Sequence, residues 1–207
     1  MLSRTHLTVG TAASLAASFF ILQPESLSDV LIAFAGGAVG GVFADVDTVS
    51  HDRKHDAFIS QALAALALFA VAATDWYLKL GVCEFVIGPN RSKSLAAGAA
   101  IVFIYLFGFL SPHRTFTHSI LATALFSGCF ALIYTRMGFS VLAGCVSHLA
   151  LDLITKKEVH LFYPLKTGVC LRLCYSGKTA NRLFMRLGII ATLGMLAYRL
   201  YPYISGQ

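Results

Sequence analysis

The sequence predicts an all-α fold, a multi-pass membrane bundle of about six or seven apolar segments with a His/Asp metal site at one membrane face. Three observations lead there. Of 207 residues, 57% are apolar and only 13% are Asp, Glu, Lys or Arg, about half the ~25% charged content of soluble domains. The mean hydropathy of +0.73 suits a surface facing hydrocarbon, which needs no charged cover. The few acids and histidines, finally, cluster where apolar stretches end. This composition excludes a disordered chain and argues against a soluble globule. At ~20 residues per crossing, the length fits a single integral-membrane domain over residues 1–207.

Apolar stretches run over 7–22, 27–44, 57–74, 95–110, 120–135, 139–154 and 183–203. The first follows Arg4 and His6, as the apolar part of a secretory leader would. It continues to Leu22 and then meets Gln23-Pro24-Glu25 without a clean small-x-small site, so it reads as a retained helix. The second contains Gly36, Gly37, Gly40 and Gly41, small residues that let membrane helices approach closely. A hydrated run, His51 to Asp56, precedes the third, and Pro112 to Ser119 separates the fourth from the fifth. Several stretches are shorter than a full span, a mismatch that local bilayer thinning or neighbouring helices absorb. The mixed basic and aromatic segment from Lys156 to Arg182, before the last stretch, is either an interfacial lid or an anchored loop. No linker, repeat or low-complexity tract divides the chain.

Seven crossings would bring His6, Asp45, Ser111, Asp152 and Thr155 to one side. That side also collects Arg4, Arg53, Lys54, Arg114, Lys156, Lys157, Lys166, Arg172, Lys178, Arg182 and Arg186, leaving Lys79, Arg91, Lys93, Arg136 and Arg199 for the other. The positive-inside rule therefore puts the His/Asp face in the cytoplasm. The net charge of +6 comes from residues scattered singly between apolar segments. It reads as an orientation and head-group signal rather than a nucleic-acid patch. The five cysteines form no C-x-x-C pair, and Cys129 and Cys145 lie in apolar runs, so neither a zinc ribbon nor a disulfide framework is expected.

Three motifs carry the chemistry. Ser147-His148-Leu149-Ala150-Leu151-Asp152 sets a His and an Asp four apart, on one helix face and within reach of one ion. Pro112-His113-Arg114-Thr115-Phe116-Thr117-His118-Ser119 offers two imidazoles, a guanidinium suited to a phosphate or carboxylate, and Thr117 or Ser119 as a cap or supporting donor. Ala44-Asp45-Val46-Asp47 offers two carboxylates at a helix mouth, whereas His51 and His55 downstream read as a solvated face. With His6, the candidate ligands are His6, Asp45, Asp47, His113, His118, His148 and Asp152. Such a mixed imidazole and carboxylate set suits zinc, manganese or iron better than calcium and is large enough for two ions.

These motifs, with Leu161-Phe162-Tyr163-Pro164-Leu165 after them, make the sequence resemble the YdjM-like family of LexA-regulated, inner-membrane metal-dependent hydrolases. The resemblance extends from near the N-terminus to about residue 182. It implies a bacterial inner-membrane location and a fold distantly like zinc-dependent phospholipase C and the P1-type nucleases. The implied activity is metal-dependent hydrolysis of a phosphoester in a lipid or lipid-linked substrate. Asp45, Asp47 and Arg114 would be the catalytic residues, and Arg114, Lys156 and Lys157 would bind substrate. The chain departs from the family pattern in three places. Thr48 stands where a His follows the second Asp, Thr115 where a Gly follows His-Arg, and Asn181 where a later Glu is usual. A metal-ion or proton-coupled transporter and a non-catalytic metal-binding scaffold are the alternative expectations.

Overall fold

The computed structural model describes residues 1–24, 26–48, 51–176 and 178–205, with the side chains of 51–53, 178, 200 and 202–205 left aside. The described residues are about 78% helical and contain no sheet. The helices are α1 (Ser3–Ala17), α2 (Leu27–Phe43), α3 (His51–Leu78), α4 (Val82–Ile87), α5 (Arg91–Leu110), α6 (Ile120–Ile133), α7 (Thr135–Leu153) and α8 (Lys178–Ser205). A π-helical turn, Ser18–Leu22, extends α1. A 3-10 turn, Ala44–Asp47, extends α2, and another, Phe116–His118, precedes α6.

Each of the seven predicted stretches is helical, but they are not equivalent. Among the described residues, five helices are long and apolar enough to cross a membrane: Ser3–Leu22, Leu27–Asp47, Lys54–Leu78, Arg91–Leu110 and Thr179–Arg199. The predicted 120–135 segment is the shorter helix Ile120–Ile133, about 21 Å at ~1.5 Å per residue against ~30 Å of hydrocarbon. The chain turns back at Tyr134, so α6 and α7 form an antiparallel hairpin whose two ends lie on the same side. Composition explains the difference: α7 carries Arg136, Ser140, Ser147, His148 and Asp152 among its apolar residues.

The bundle is built around α2, which runs antiparallel to α1 and parallel to α7, the three helices packing mutually. Without a hydrophobic driving force between helices in lipid, close packing must hold them together. A Cβ on Gly41 would lie 2.5 Å from the His6 carbonyl, and one on Gly40 would lie 2.9 Å from the Cys145 amide nitrogen. Only glycine permits both approaches. On the other flank, Phe43 stacks on Phe126 with ring centroids 3.7 Å apart, tying α2 to α6 within a core that includes Ile104, Phe116 and Val141. α8 runs parallel to α1. Asn181, the departure from the family's Glu, is buried and accepts from the Leu2 amide at 3.0 Å, while at the far end Arg199 donates to the Pro24 carbonyl. All five thiols are free.

Candidate metal centre

The donors of the site come from helix ends and the turns beside them. His6 lies in the first turns of α1, and His148 and Asp152 in the last turns of α7. The 3-10 turn closing α2 tightens the backbone and buries both Asp45 and Asp47. His118 ends the turn before α6, where Ser119 caps the helix by accepting from the Ala122 amide at 3.0 Å. His6, His118 and His148 are fully buried, and Asp45, Asp47 and Asp152 nearly so.

The imidazoles are oriented by groups behind them. His148 Nδ1 donates to the Gly41 carbonyl at 2.7 Å. A carbonyl can only accept, so that nitrogen carries the proton and Nε2 presents its lone pair to the cluster. His148 Nε2 lies 3.4 Å from His118 Nε2 and 3.9 Å from Asp45 Oδ1. His118 Nε2 is 3.5 Å from Asp152 Oδ2, and His6 Nε2 is 3.4 Å from Asp152 Oδ1. The His6 and His148 rings stack with centroids 3.8 Å apart. Two overlapping triads result, His6/His148/Asp152 and Asp45/His118/His148, with the ligand atoms of each all within 4.8 Å of one another.

Both ring nitrogens of His6 and Oδ2 of Asp45 are buried without a hydrogen-bond partner, although buried polar atoms are nearly always satisfied. Orphaned lone pairs converging from imidazoles and carboxylates are what a divalent cation requires, so these residues fit a metal. The electrostatics agree. Burial lowers the pKa of His118, but its hydrogen bonds to Asp152 and Asp47 outweigh that and hold it up at about 9. The carboxylates at this end therefore call for positive charge, and the Met1 amine already lies 2.6 Å from Asp152 Oδ1.

The predicted ligands thus divide. His6, Asp45, His118, His148 and Asp152 converge on one point. Asp47 and His113 stand behind it: Asp47 Oδ1 is 2.7 Å from His113 Nδ1, and Oδ2 accepts from the Arg114 amide at 2.9 Å and Thr117 Oγ1 at 2.6 Å, with His118 Nδ1 at 3.4 Å. Both Asp47 oxygens are engaged, which makes it a brace for His118 and the 112–118 turn. Arg114 has a left-handed backbone (φ 65°), a conformation costing roughly 1–2 kcal/mol for a non-glycine residue. Its guanidinium lies 2.8 Å from Asp152 Oδ2 and donates to the Lys157 carbonyl at 3.0 Å. A small cleft opens on the cluster between Met1, Asp45, His113, Arg114 and Asp152, and neither lysine side chain lines it: Lys157 is exposed, and Lys156 Nζ sits 3.6 Å over the Tyr175 ring. His55 is exposed, and the side chain of His51 lies outside the described residues.

Within the ambiguous 156–182 segment, residues 156–176 are irregular. It is pinned by bridges pairing Thr155 with Cys174 and Val159 with Val169, and by the His160 amide donating to the Arg114 carbonyl at 3.1 Å. Sequence reasoning missed the Gly41 carbonyl, for which a backbone acceptor leaves no side-chain signal. It also missed the bracing geometry of Asp47, which only the folded 112–118 turn reveals.

The family model of the YdjM inner membrane proteins matches residues 1–203, nearly the whole chain. The chain belongs to the YdjM inner membrane protein family. In this YdjM-family chain the match takes in the three motifs and the whole cluster described above. No curated protein and no solved structure matches it.

Proposed function

We propose that the chain is a multi-pass inner-membrane hydrolase that cleaves a phosphoester of a lipid or lipid-linked substrate at the cytoplasmic face, using a divalent metal. The observation that carries this reading is the convergence of three buried imidazoles and two carboxylates, with orphaned donor atoms, beside the Arg114 guanidinium. His6, Asp45, His118, His148 and Asp152 would hold the ion, with zinc the best match and manganese or iron also accommodated. Both triads draw on His148 Nε2, which ligates one ion only, so this arrangement favours a single ion over the two expected from ligand number. A metal bound there supplies a water acidified towards pKa ~7 and a Lewis acid for a phosphoryl oxygen.

The chain's own residues do the rest. Asp45 lines the cleft and has a free oxygen to accept the water's proton. Arg114, also on the cleft wall, faces negative charge developing on the phosphoryl group. Thr117 Oγ1, which donates to Asp47, is left to accept from His118 Nδ1 at 3.0 Å, and this leaves Nε2 facing inward. The cleft has room for little more than a water molecule, so substrate entry requires the 156–176 loop to lift off Arg114.

A transport site would lie near the bilayer midplane, whereas these donors lie at helix ends. The test is metal analysis of detergent-purified protein together with turnover of phosphodiester and phospholipid substrates by wild type, His118→Ala and Asp152→Ala. The expectation is about one ion per chain and turnover abolished in both variants. Metal-free wild type whose folding ignores chelator would sink the metal site. Liposomal zinc or manganese uptake abolished by Asp152→Ala would establish transport instead.

A further inference from the structure

The end of the bundle remote from the metal centre contains a hollow that the proposed reaction does not use. It lies where α6 stops short, between α2, α3 and α6, some 20 Å along α2 from Asp45 at ~1.5 Å per residue. Its volume is about 270 Å³, nearly twice the ~150 Å³ of an apolar cavity that binds benzene. Ile32, Leu68, Val71, Phe130 and Met137 form its walls, and almost no polar surface faces it. α4 covers the outer end, with Phe85 edge-on to Tyr134 at 5.9 Å.

Water is a poor occupant, because it needs two to four polar partners. The carboxylate on the rim, Asp75, has both oxygens committed to the Val82 and Cys83 amides at 3.1 and 2.7 Å. The hollow shares Asp75, Cys83 and Ile87 with a wider outer one lined by Trp76, Lys79 and Glu84. An apolar pocket leading to an exposed Trp and Lys matches a lipid lying with its tail inward and its head at the membrane interface. Glu84, which lines the outer hollow with Lys79, offers a carboxylate to a head-group amine. Ala72, on the wall, is exposed, so the hollow meets the surface of the bundle beside α3.

We propose that the α3–α4 corner holds one bilayer phospholipid as a resident ligand, with one acyl chain in the inner hollow and its phosphate beside Lys79. The site is independent of the metal centre, and its failure would leave the hydrolase reading untouched. The probe is a phosphatidylethanolamine with a diazirine at the end of one acyl chain, diluted into phosphatidylethanolamine/phosphatidylglycerol vesicles holding the full chain. After irradiation, the crosslinked residues are mapped by mass spectrometry. The expected labels fall on Ile32, Phe130 and Met137, all buried and so beyond the reach of surrounding lipid. Those labels should be lost in Ala72→Trp, which fills the hollow, and retained in Ala73→Trp, on an outward-facing neighbour. Labelling confined to outward residues such as Leu66, Phe69 and Phe103, in wild type alone, would overturn the proposal, as would inner labels unchanged in Ala72→Trp.

Discussion

Asp47 and Asp45 are two residues apart and chemically identical, yet the fold gives them different tasks. Asp45 keeps an unpartnered oxygen facing the donors, while Asp47 spends both of its oxygens on the 112–118 turn. Asp47→Asn should therefore leave the ligand set intact and lower metal affinity by roughly 10–100-fold, measured by competition with a chromophoric chelator. An unchanged affinity would remove Asp47 from the support of His118. At the other end, the Cys83 thiol is pushed up to about 11 by burial and by its hydrogen bond to and charge repulsion from Asp75. A higher thiol pKa means less thiolate, partly offset by the greater nucleophilicity of a more basic thiolate, so at pH 8 its alkylation should run about tenfold slower than that of an unperturbed thiol; mass spectrometry after timed iodoacetamide treatment reads this. Residue types and spacings made His148, Asp152 and His118 legible in the sequence, because ionisable groups at the ends of apolar helices are costly unless used. The split between ligand and brace was not legible. It depends on which way a loop folds back, and both readings share one sequence pattern.

Helix positions were readable from hydropathy, and each predicted stretch is helical. What hydropathy could not register was depth. A 14-residue helix and a 20-residue helix score alike per residue, and only the reversal at Tyr134 shows that α6 stops early. The short α4 was hidden too, since six residues after a glycine carry little periodicity. The glycines of α2 were legible as packing residues, and the structure adds which helix each one meets. Gly40→Ala should force α2 away from α7 at a cost of about 1–3 kcal/mol, as overpacking generally does. Gly98→Ala, with nothing within 4 Å of its Cβ, should stabilise α5 by up to about 1 kcal/mol. Thermal unfolding in detergent compares the two, and equal shifts would mean that the close approach of α2 and α7 is not a tight one.

Across the whole molecule, α1, α3, α6 and α8 run away from the His/Asp face while α2, α5 and α7 run back to it. The α6–α7 hairpin returns to the face it left, so the sidedness of everything after it does not depend on how deeply it penetrates. In spheroplasts of a cysteine-free background, Lys93→Cys should react with an impermeant maleimide, and Lys166→Cys should react only after lysis. The reverse pattern would put the metal face outside the cell. The donors of that face also lie far apart in the chain, from His6 to Asp152. A single ion gripping both would close a loop of well over a hundred residues, a cross-link whose entropic effect grows with loop length. The cation would then serve as the latch that keeps the first helix against the seventh, and stripping it should loosen the bundle's N-terminal edge before any other part gives way.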